Sequence, residues 1–334
     1  MTSLVAYYPH PDQPNDIDLL RTLLPPEIAI CTSSTPPIKF HAVIGWDFDA
    51  TLLDQHPEVR WLIQPYTGID TKITAIAKRL PNISVHNTHI NAKATAEFAI
   101  GLLFAVTKCI VPSDKALRRG DWLSYWNPSP HWQPVRSLQI SGKRALVLGY
   151  GAIGQHVGRI LTGLGVQVTG VKRSAEPDQT IDGVPVYAIS QLHTLLPDAD
   201  ILMVCLPLTP ETQGIIGSQE LALMPSTGIV INVGRGAVIN EQALYKALRD
   251  DLILGAGIDV WYRYPDSSAE TPSVVCPSAY PFHQLDNVVM TPHRAGMLMD
   301  GEGDDSIPQA IAEILIAAAS GEPVPNKVNI DAGY

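Results

Sequence analysis

Gly149, Gly151 and Gly154 hold the spacing G-x-G-x-x-G, which can cradle a pyrophosphate. An apolar run, Ala145 to Leu148, leads into the first glycine, and Val157, Ile160 and Leu161 recur at helical intervals after the last. In such a strand–turn–helix unit Gly149 permits the tight turn, Gly151 lets the pyrophosphate approach the backbone, and Gly154 lets helix and sheet pack closely. Ala152 and Ile153 complete the turn, where the helix start offers free N–H groups and a positive dipole end. The next apolar run ends at Lys172, Arg173 and Ser174, about 20 residues past the loop. NAD sites place a carboxylate there to accept from the ribose 2′-hydroxyl, whereas two cations and a hydroxyl suit a 2′-phosphate. A pair of solvated cations after a strand is the competing reading. Arg235 follows another apolar run, and its planar guanidinium suits a carboxylate beside a carbonyl; a surface salt bridge is its plain alternative. His293 follows the last apolar run and carries an imidazole that titrates near neutrality, although a lone histidine is more often structural.

Those residues need strands to carry them, and the chain supplies two series. Leu4–Tyr8, Ile28–Cys31, Ala42–Trp46, Trp61–Gln64 and Ile83–His86 read as strands alternating with helical segments. One long helix is expected from about Ala92 to Gly120. A loop with three prolines and two tryptophans follows, at 124–138, placed either against its own domain or against another subunit. A second α/β series begins at Lys143, with strands at Ala145–Leu148, Val166–Val171, Ile201–Cys205, Gly228–Asn232, Leu252–Ile258 and Val288–Met290. This rhythm predicts an α/β fold with two doubly wound parallel sheets, in which ligands bind at the carboxyl ends of strands.

At 334 residues two domains are expected, and 46% apolar with 17% charged residues suits a packed globular chain. A net charge of −10 and the absence of a basic run argue against nucleic acid as a partner. No run reaches the length of a membrane span, and Met1 to Pro9 does not read as a signal peptide, so a cytoplasmic location is expected. Cys31, Cys109, Cys205 and Cys276 are scattered, which suggests neither a metal site nor a disulfide framework.

Several motifs in order resemble the D-isomer-specific 2-hydroxyacid dehydrogenases. Beyond the glycine loop, Leu206-Pro-Leu-Thr-Pro-Glu-Thr212 is similar to the family's segment near the nicotinamide-side ribose. Ile231-Asn-Val-Gly-Arg-Gly-Ala-Val238 is similar to its arginine motif, Gly257-Ile-Asp-Val260 to its aspartate segment, and Thr291-Pro-His-Arg-Ala-Gly296 to its histidine segment. Asn91 to Glu97 resembles the start of the inter-domain helix, and Asn326-Lys-Val-Asn329 the tail; the match runs from about residue 60 to the end.

The resemblance implies a flavodoxin-like substrate domain, residues 1–96 with 297–334, into which a Rossmann cofactor domain, residues 97–296, is inserted. It implies that Arg235 binds and polarises a 2-keto acid and that His293 moves the proton. Leu206, Pro207, Thr212, Val233, Gly234, Asp259 and His293 would contact the cofactor, Asp259 at the nicotinamide carboxamide or else as a buried turn cap. Tyr66, Thr67 and Gly68 would hold the substrate carboxylate. Asn91 is a substrate contact or a helix N-cap.

One departure stands out. The family pattern after Asp259-Val260 is an aromatic, two variable residues and Glu-Pro; here Tyr264 precedes Pro265. The glutamate would pair with the histidine and raise its pKa. Asp266 or Glu270 could replace it, Tyr264 could hold the ring by a neutral hydrogen bond, or the reaction could need little proton relay, as in formate dehydrogenases. The expected activity is hydride transfer between a nicotinamide cofactor, NADP ahead of NAD, and a small 2-keto or 2-hydroxy acid such as glyoxylate or hydroxypyruvate. A homodimer is expected, and no metal. A non-catalytic dinucleotide sensor, like the family's corepressors, is the alternative.

Overall fold

The computed structural model describes residues 4–9, 14–33, 35–45, 48–69, 71–122, 137–265, 275–297 and 306–331. The chain forms two compact units, Met1–Asn91 with Leu298–Tyr334, and Ala92–Met297.

In the first unit, strands β1 (Leu4–Tyr7), β2 (Ile28–Cys31), β3 (Ala42–Ile44), β4 (Trp61–Gln64) and β5 (Ser84–Asn87) form a parallel sheet in the order β2-β1-β3-β4-β5. Helices α1 (Pro14–Leu23), α2 (Ala50–Gln55) and α3 (Thr71–Arg79) connect them. Side chains alternate between the sheet's faces, so both are apolar. Leu4, Ala6, Ile44 and Ile63 pack with Ile311, Ile314 and Leu315 of the C-terminal helix (Ser306–Ser320), while Tyr7, Val43, Leu62 and Val85 pack with Leu53, Ile73 and Ala77. The tail closes onto the β5 edge through Val328 N–H donating to Val85 O at 2.8 Å.

The second unit opens with α4 (Ala92–Thr107) and α5 (Ile110–Leu117). The single helix expected over 92–120 is therefore broken: Cys109 adopts φ 52° and the two helices meet at a bend of 61°. Pro112 explains the break, because its ring would clash with the carbonyl of Lys108, four residues back, in a continuous helix. Strands β6 (Arg144–Leu148), β7 (Gln167–Lys172), β8 (Thr180–Ile181), β9 (Val184–Ala188), β10 (Ile201–Val204), β11 (Ile229–Asn232), β12 (Gly255–Ile258) and β13 (Val288–Met290) build an eight-stranded sheet, ordered β13-β12-β11-β10-β6-β7-β9-β8. Only the β8–β9 pair is antiparallel. The turn between them, Asp182 at φ 52° and Gly183 at φ 78°, is an Asp-Gly hairpin signal that the strand reading passed over. Helix α6 (Ala152–Gly163) follows β6, α7 (Ser218–Leu223) precedes β11, and α8 (Glu241–Arg249) precedes β12. Strand order reverses between β6 and β10, so the carboxyl ends of these neighbours form the crevice where ligands of this architecture bind.

The compact units divide before α4, not within it as the 96/97 boundary assumed. Ala96, Ala99, Leu103 and Val106 of that helix are buried with Val147, Ile229 and Ile231 of the second sheet. Among the described residues no single helix is long and apolar enough to cross a membrane, and no group of metal-ligating side chains is gathered. The four cysteines are free. Most of the proline- and tryptophan-rich loop, together with Asp266 and Glu270, lies outside the described residues.

Candidate active site

The glycine loop turns directly against its neighbouring strands. Gly149 N–H and Tyr150 N–H both donate to Val171 O at 2.9 Å, and Cys205 N–H donates to Leu148 O at 2.8 Å. Gly149 sits at φ 96°, and a Cβ there would lie 2.8 Å from the Cys205 carbonyl carbon. A Cβ on Gly154 would fall 2.2 Å from Gly149 O, whereas one on Gly151 would meet nothing within 4 Å. Space is therefore closed at the first and third glycines and open at the second, which fits a pyrophosphate laid against the backbone. Gly151 caps α6 with extended backbone and no side-chain hydrogen bond, leaving the first-turn N–H groups for the phosphates. Gly154→Ala is expected to push the turn out of place and weaken dinucleotide affinity at least about tenfold, because a backbone oxygen blocks the added carbon. A calorimetric titration with NADPH measures it, and wild-type affinity would contradict the cradle.

Lys172 ends β7 one residue after the carbonyl that receives the loop's two N–H groups. It is half-buried, and Arg173 and Ser174 are exposed. Past β10, the loop carrying Leu206 and Pro207 is fastened by threonines: Thr212 Oγ1 donates to Pro207 O at 2.7 Å and accepts from Thr209 N–H at 2.8 Å. Thr212 thus shapes the segment that holds Leu206 and Pro207 beside the glycine turn.

The ends of β11, β12 and β13 carry the polar cluster. Asn232, buried at the end of β11, accepts from Gly234 N–H and donates to Arg235 O, each at 3.1 Å. These bonds fix the Val233–Gly234 turn so that the half-buried Arg235 leaves the strand end with its Nη1 donating to Gly234 O at 2.8 Å. Asn232 stood inside the arginine motif without being singled out; its position, immediately before a turn that needs satisfied backbone groups, was the available signal.

Asp259 is fully buried after β12, and its carboxylate organises the next loop. Oδ1 accepts from Thr291 Oγ1 at 2.5 Å and from Arg294 N–H at 2.8 Å, and Oδ2 accepts from Ala295 N–H at 2.8 Å. The aspartate's own carbonyl accepts from His293 N–H at 2.8 Å. This frame holds His293 at φ 56°, a left-handed conformation that a non-glycine residue adopts at a cost of about 1 kcal/mol. Asp259→Asn must turn an NH2 group toward one of these donors, so a loss of about 2 kcal/mol is expected. Urea unfolding checks it; an unchanged midpoint would refute the framing role.

Trp261 ties the two sides together, donating from Nε1 to Thr291 O at 2.8 Å and from its backbone N–H to Tyr264 Oη at 2.9 Å. The Tyr264 ring lies 5.5 Å from the His293 ring, centroid to centroid, tilted by 54°. No hydrogen bond joins them among the described residues. Burial pushes the His293 imidazole below its ordinary value and the nearby Arg235 guanidinium lowers it further, with Asp259 opposing. Arg235, Asp259, Tyr264 and His293 therefore form one electrostatic cluster inside the second unit.

In the first unit, Tyr66, Thr67 and Gly68 leave the end of β4 half-buried. Asn87 Nδ2 donates to Thr67 O at 2.7 Å, and Thr67 Oγ1 donates to Asn91 Oδ1 at 2.5 Å. Asn91 thus braces the Tyr66–Gly68 loop.

Comparisons with known proteins agree with this architecture. The family described as "D-isomer specific 2-hydroxyacid dehydrogenase, NAD binding domain" matches residues 100–295. A glyoxylate reductase of Aeropyrum pernix is 32% identical over 307 residues, 91% of this chain and 87% of that protein. One from Thermococcus litoralis is 34% identical over 287 residues, covering 85% and 81%. Among solved structures, a D-isomer specific 2-hydroxyacid dehydrogenase from Xanthobacter autotrophicus Py2, in complex with NADPH and MES, superposes with a TM-score of 0.78 at 26% identity over the whole of both chains. With the motifs, the sheet order and the buried Asp259 frame, these likenesses lead to one conclusion: the chain belongs to the D-isomer specific 2-hydroxyacid dehydrogenase family.

Proposed function

We propose that the chain is an NADPH-dependent reductase of a small 2-keto acid, with glyoxylate and hydroxypyruvate as the first substrates to test. The observation that carries this reading is the presentation of Arg235 and His293 from the ends of β11 and β13, the two strands that flank β12, in the same unit as the glycine cradle. The relatives named for glyoxylate reduction support the substrate class, and the Xanthobacter neighbour solved with NADPH supports the cofactor.

A bound nicotinamide supplies the hydride that reduces the substrate's C2. The rest of the work falls to side chains of this protein. Arg235 pairs with the substrate carboxylate and draws negative charge onto the C2 carbonyl oxygen, which leaves C2 open to hydride. The His293 imidazolium hands its proton to that oxygen as the alcohol forms, so hydride and proton together convert the carbonyl to CH–OH. In the first unit, the backbone N–H groups of Thr67 and Gly68 suit a carboxylate, with Tyr66 and the Asn91 brace shaping their loop. Asp259, fully buried with three donors on its carboxylate, takes the turn-cap role and acts on the nicotinamide side through the 291–295 turn. Leu206, Pro207, Val233 and Gly234 line the nicotinamide side. Ala152 and Ile153 lie at the pyrophosphate, and Lys172, Arg173 and Ser174 receive the 2′-phosphate.

Arg173→Asp tests the cofactor assignment, because a carboxylate repels a 2′-phosphate and accepts from a 2′-hydroxyl. kcat/KM with NADPH should fall by about 10- to 100-fold while that with NADH holds or rises. A wild-type enzyme that prefers NADH would overturn the assignment. The working form is a homodimer in this reading, which light scattering measures.

A further inference from the structure

We propose that Tyr264 is a positioning residue for His293: its ring clamps the imidazole while its hydroxyl is pinned by the Trp261 backbone. This inference rests on the reading of His293 as the proton carrier.

Three observations support it. First, the two rings are in tilted contact at 5.5 Å, a favoured geometry for aromatic pairs, without a hydrogen bond between them. Second, the Tyr264 hydroxyl accepts from Trp261 N–H at 2.9 Å, so its oxygen is held by the backbone three residues earlier. Trp261 is itself buried and fastened through Nε1 to Thr291 O, two residues before His293. A single residue thus sets the distance between the clamp and the turn that carries the histidine. Third, among the described residues the charged groups that act on His293 are Arg235 after β11 and Asp259 after β12, and Asp259 spends three acceptor positions on the 291–295 turn.

The consequence concerns the proton. The clamp orients the ring but contributes no negative charge, and Arg235 adds positive charge beside it. The imidazole therefore favours its neutral form more than a free imidazole does, and it takes up its proton before the reductive step. Tyr264 keeps 47% of its surface exposed, and the partial burial of its phenol holds it above its ordinary value, so it stays un-ionised and does not substitute for a carboxylate. Keto-acid reduction, which uses the imidazolium, should decline as pH rises through the lowered pKa of His293. Oxidation of the hydroxy acid, which uses the neutral ring, should persist to correspondingly lower pH.

The experiment is an NMR titration of the His293 ring protons in the full-length protein with NADP bound, for wild type, Y264F and Y264E, followed by pH profiles of kcat/KM. The wild-type ring is expected to titrate below about 6.5. Y264E should raise that midpoint by one pH unit or more, and the descending limb of reduction should move with it. Y264F keeps the ring contact and loses the Trp261 anchor. It should leave the midpoint low and reduce kcat by about three- to tenfold with KM little changed. A wild-type midpoint above 6.5 would overturn the proposal, since it requires an anionic partner for His293. A Y264E midpoint equal to wild type, or Y264F kinetics equal to wild type, would overturn it too. The titration does not depend on turnover. If the midpoints move as stated while no keto acid is reduced, the clamp stands and the reductase reading fails.

Discussion

Arg235→Ala is expected to lower kcat/KM for keto-acid reduction by at least about 1000-fold, because two roles are lost together. A charge-assisted, planar pairing with the substrate carboxylate disappears, and so does the donor that draws charge onto the carbonyl oxygen as hydride arrives; losing one such donor alone typically costs about 100- to 1000-fold. The fold should survive, since the turn beneath the side chain is fixed by Asn232 through Gly234 N–H and Arg235 O, neither of which the substitution removes. Arg235→Lys keeps the charge without the fork and should recover only a small part of the rate. Steady-state kinetics beside an unfolding curve distinguish these cases, and activity of Arg235→Ala within threefold of wild type would remove Arg235 from the mechanism.

His293→Asn is expected to slow reduction by about 100- to 10,000-fold, the range ascribed to a positioned general acid. Asparagine is the informative replacement because it tolerates the φ of 56° at this position, so the Asp259-framed turn should persist and NADPH affinity with it. The sign of the pH effect follows from the direction of the shift. His293 is held below its ordinary value by burial and by Arg235, so the protonated, reducing form is lost at lower pH than for a free imidazole. The variant should therefore lose the descending limb of the wild-type profile as well as rate. A variant whose profile keeps that limb would assign the limb to another group.

Much of this arrangement was legible before any coordinates, for a physical reason. In a doubly wound sheet the residues that do chemistry follow the strand ends, and apolar runs mark those ends. Reading what comes after each run located the glycine loop and Lys172–Ser174, and the motifs resembling the family's at three later strand ends singled out Arg235, Asp259 and His293. What the sequence hid was the layer beneath. Asp259 carries a competing turn-cap reading, and only the three donors gathered on its carboxylate show how it presents His293. Asn232 and Trp261 act through backbone groups, which leave no mark on residue spacing. The break after Thr107 was concealed because apolar periodicity continues across it, although Pro112 signals the clash with the preceding turn. The hairpin at Asp182–Gly183 was missed because β8 has only two residues, too few for an alternating pattern. Tyr264 was visible as a departure, but its contact with the ring of His293 depends on the Trp261 anchor, which spacing alone does not reveal.

The most direct test of the account is the rate of NADPH oxidation by the purified protein with glyoxylate and with hydroxypyruvate, set against NADH under the same conditions. Turnover of at least one of these acids, with a higher kcat/KM for NADPH than for NADH, is the predicted result. Tight NADPH binding without turnover of either acid would contradict the account and point to a dinucleotide sensor in place of an enzyme.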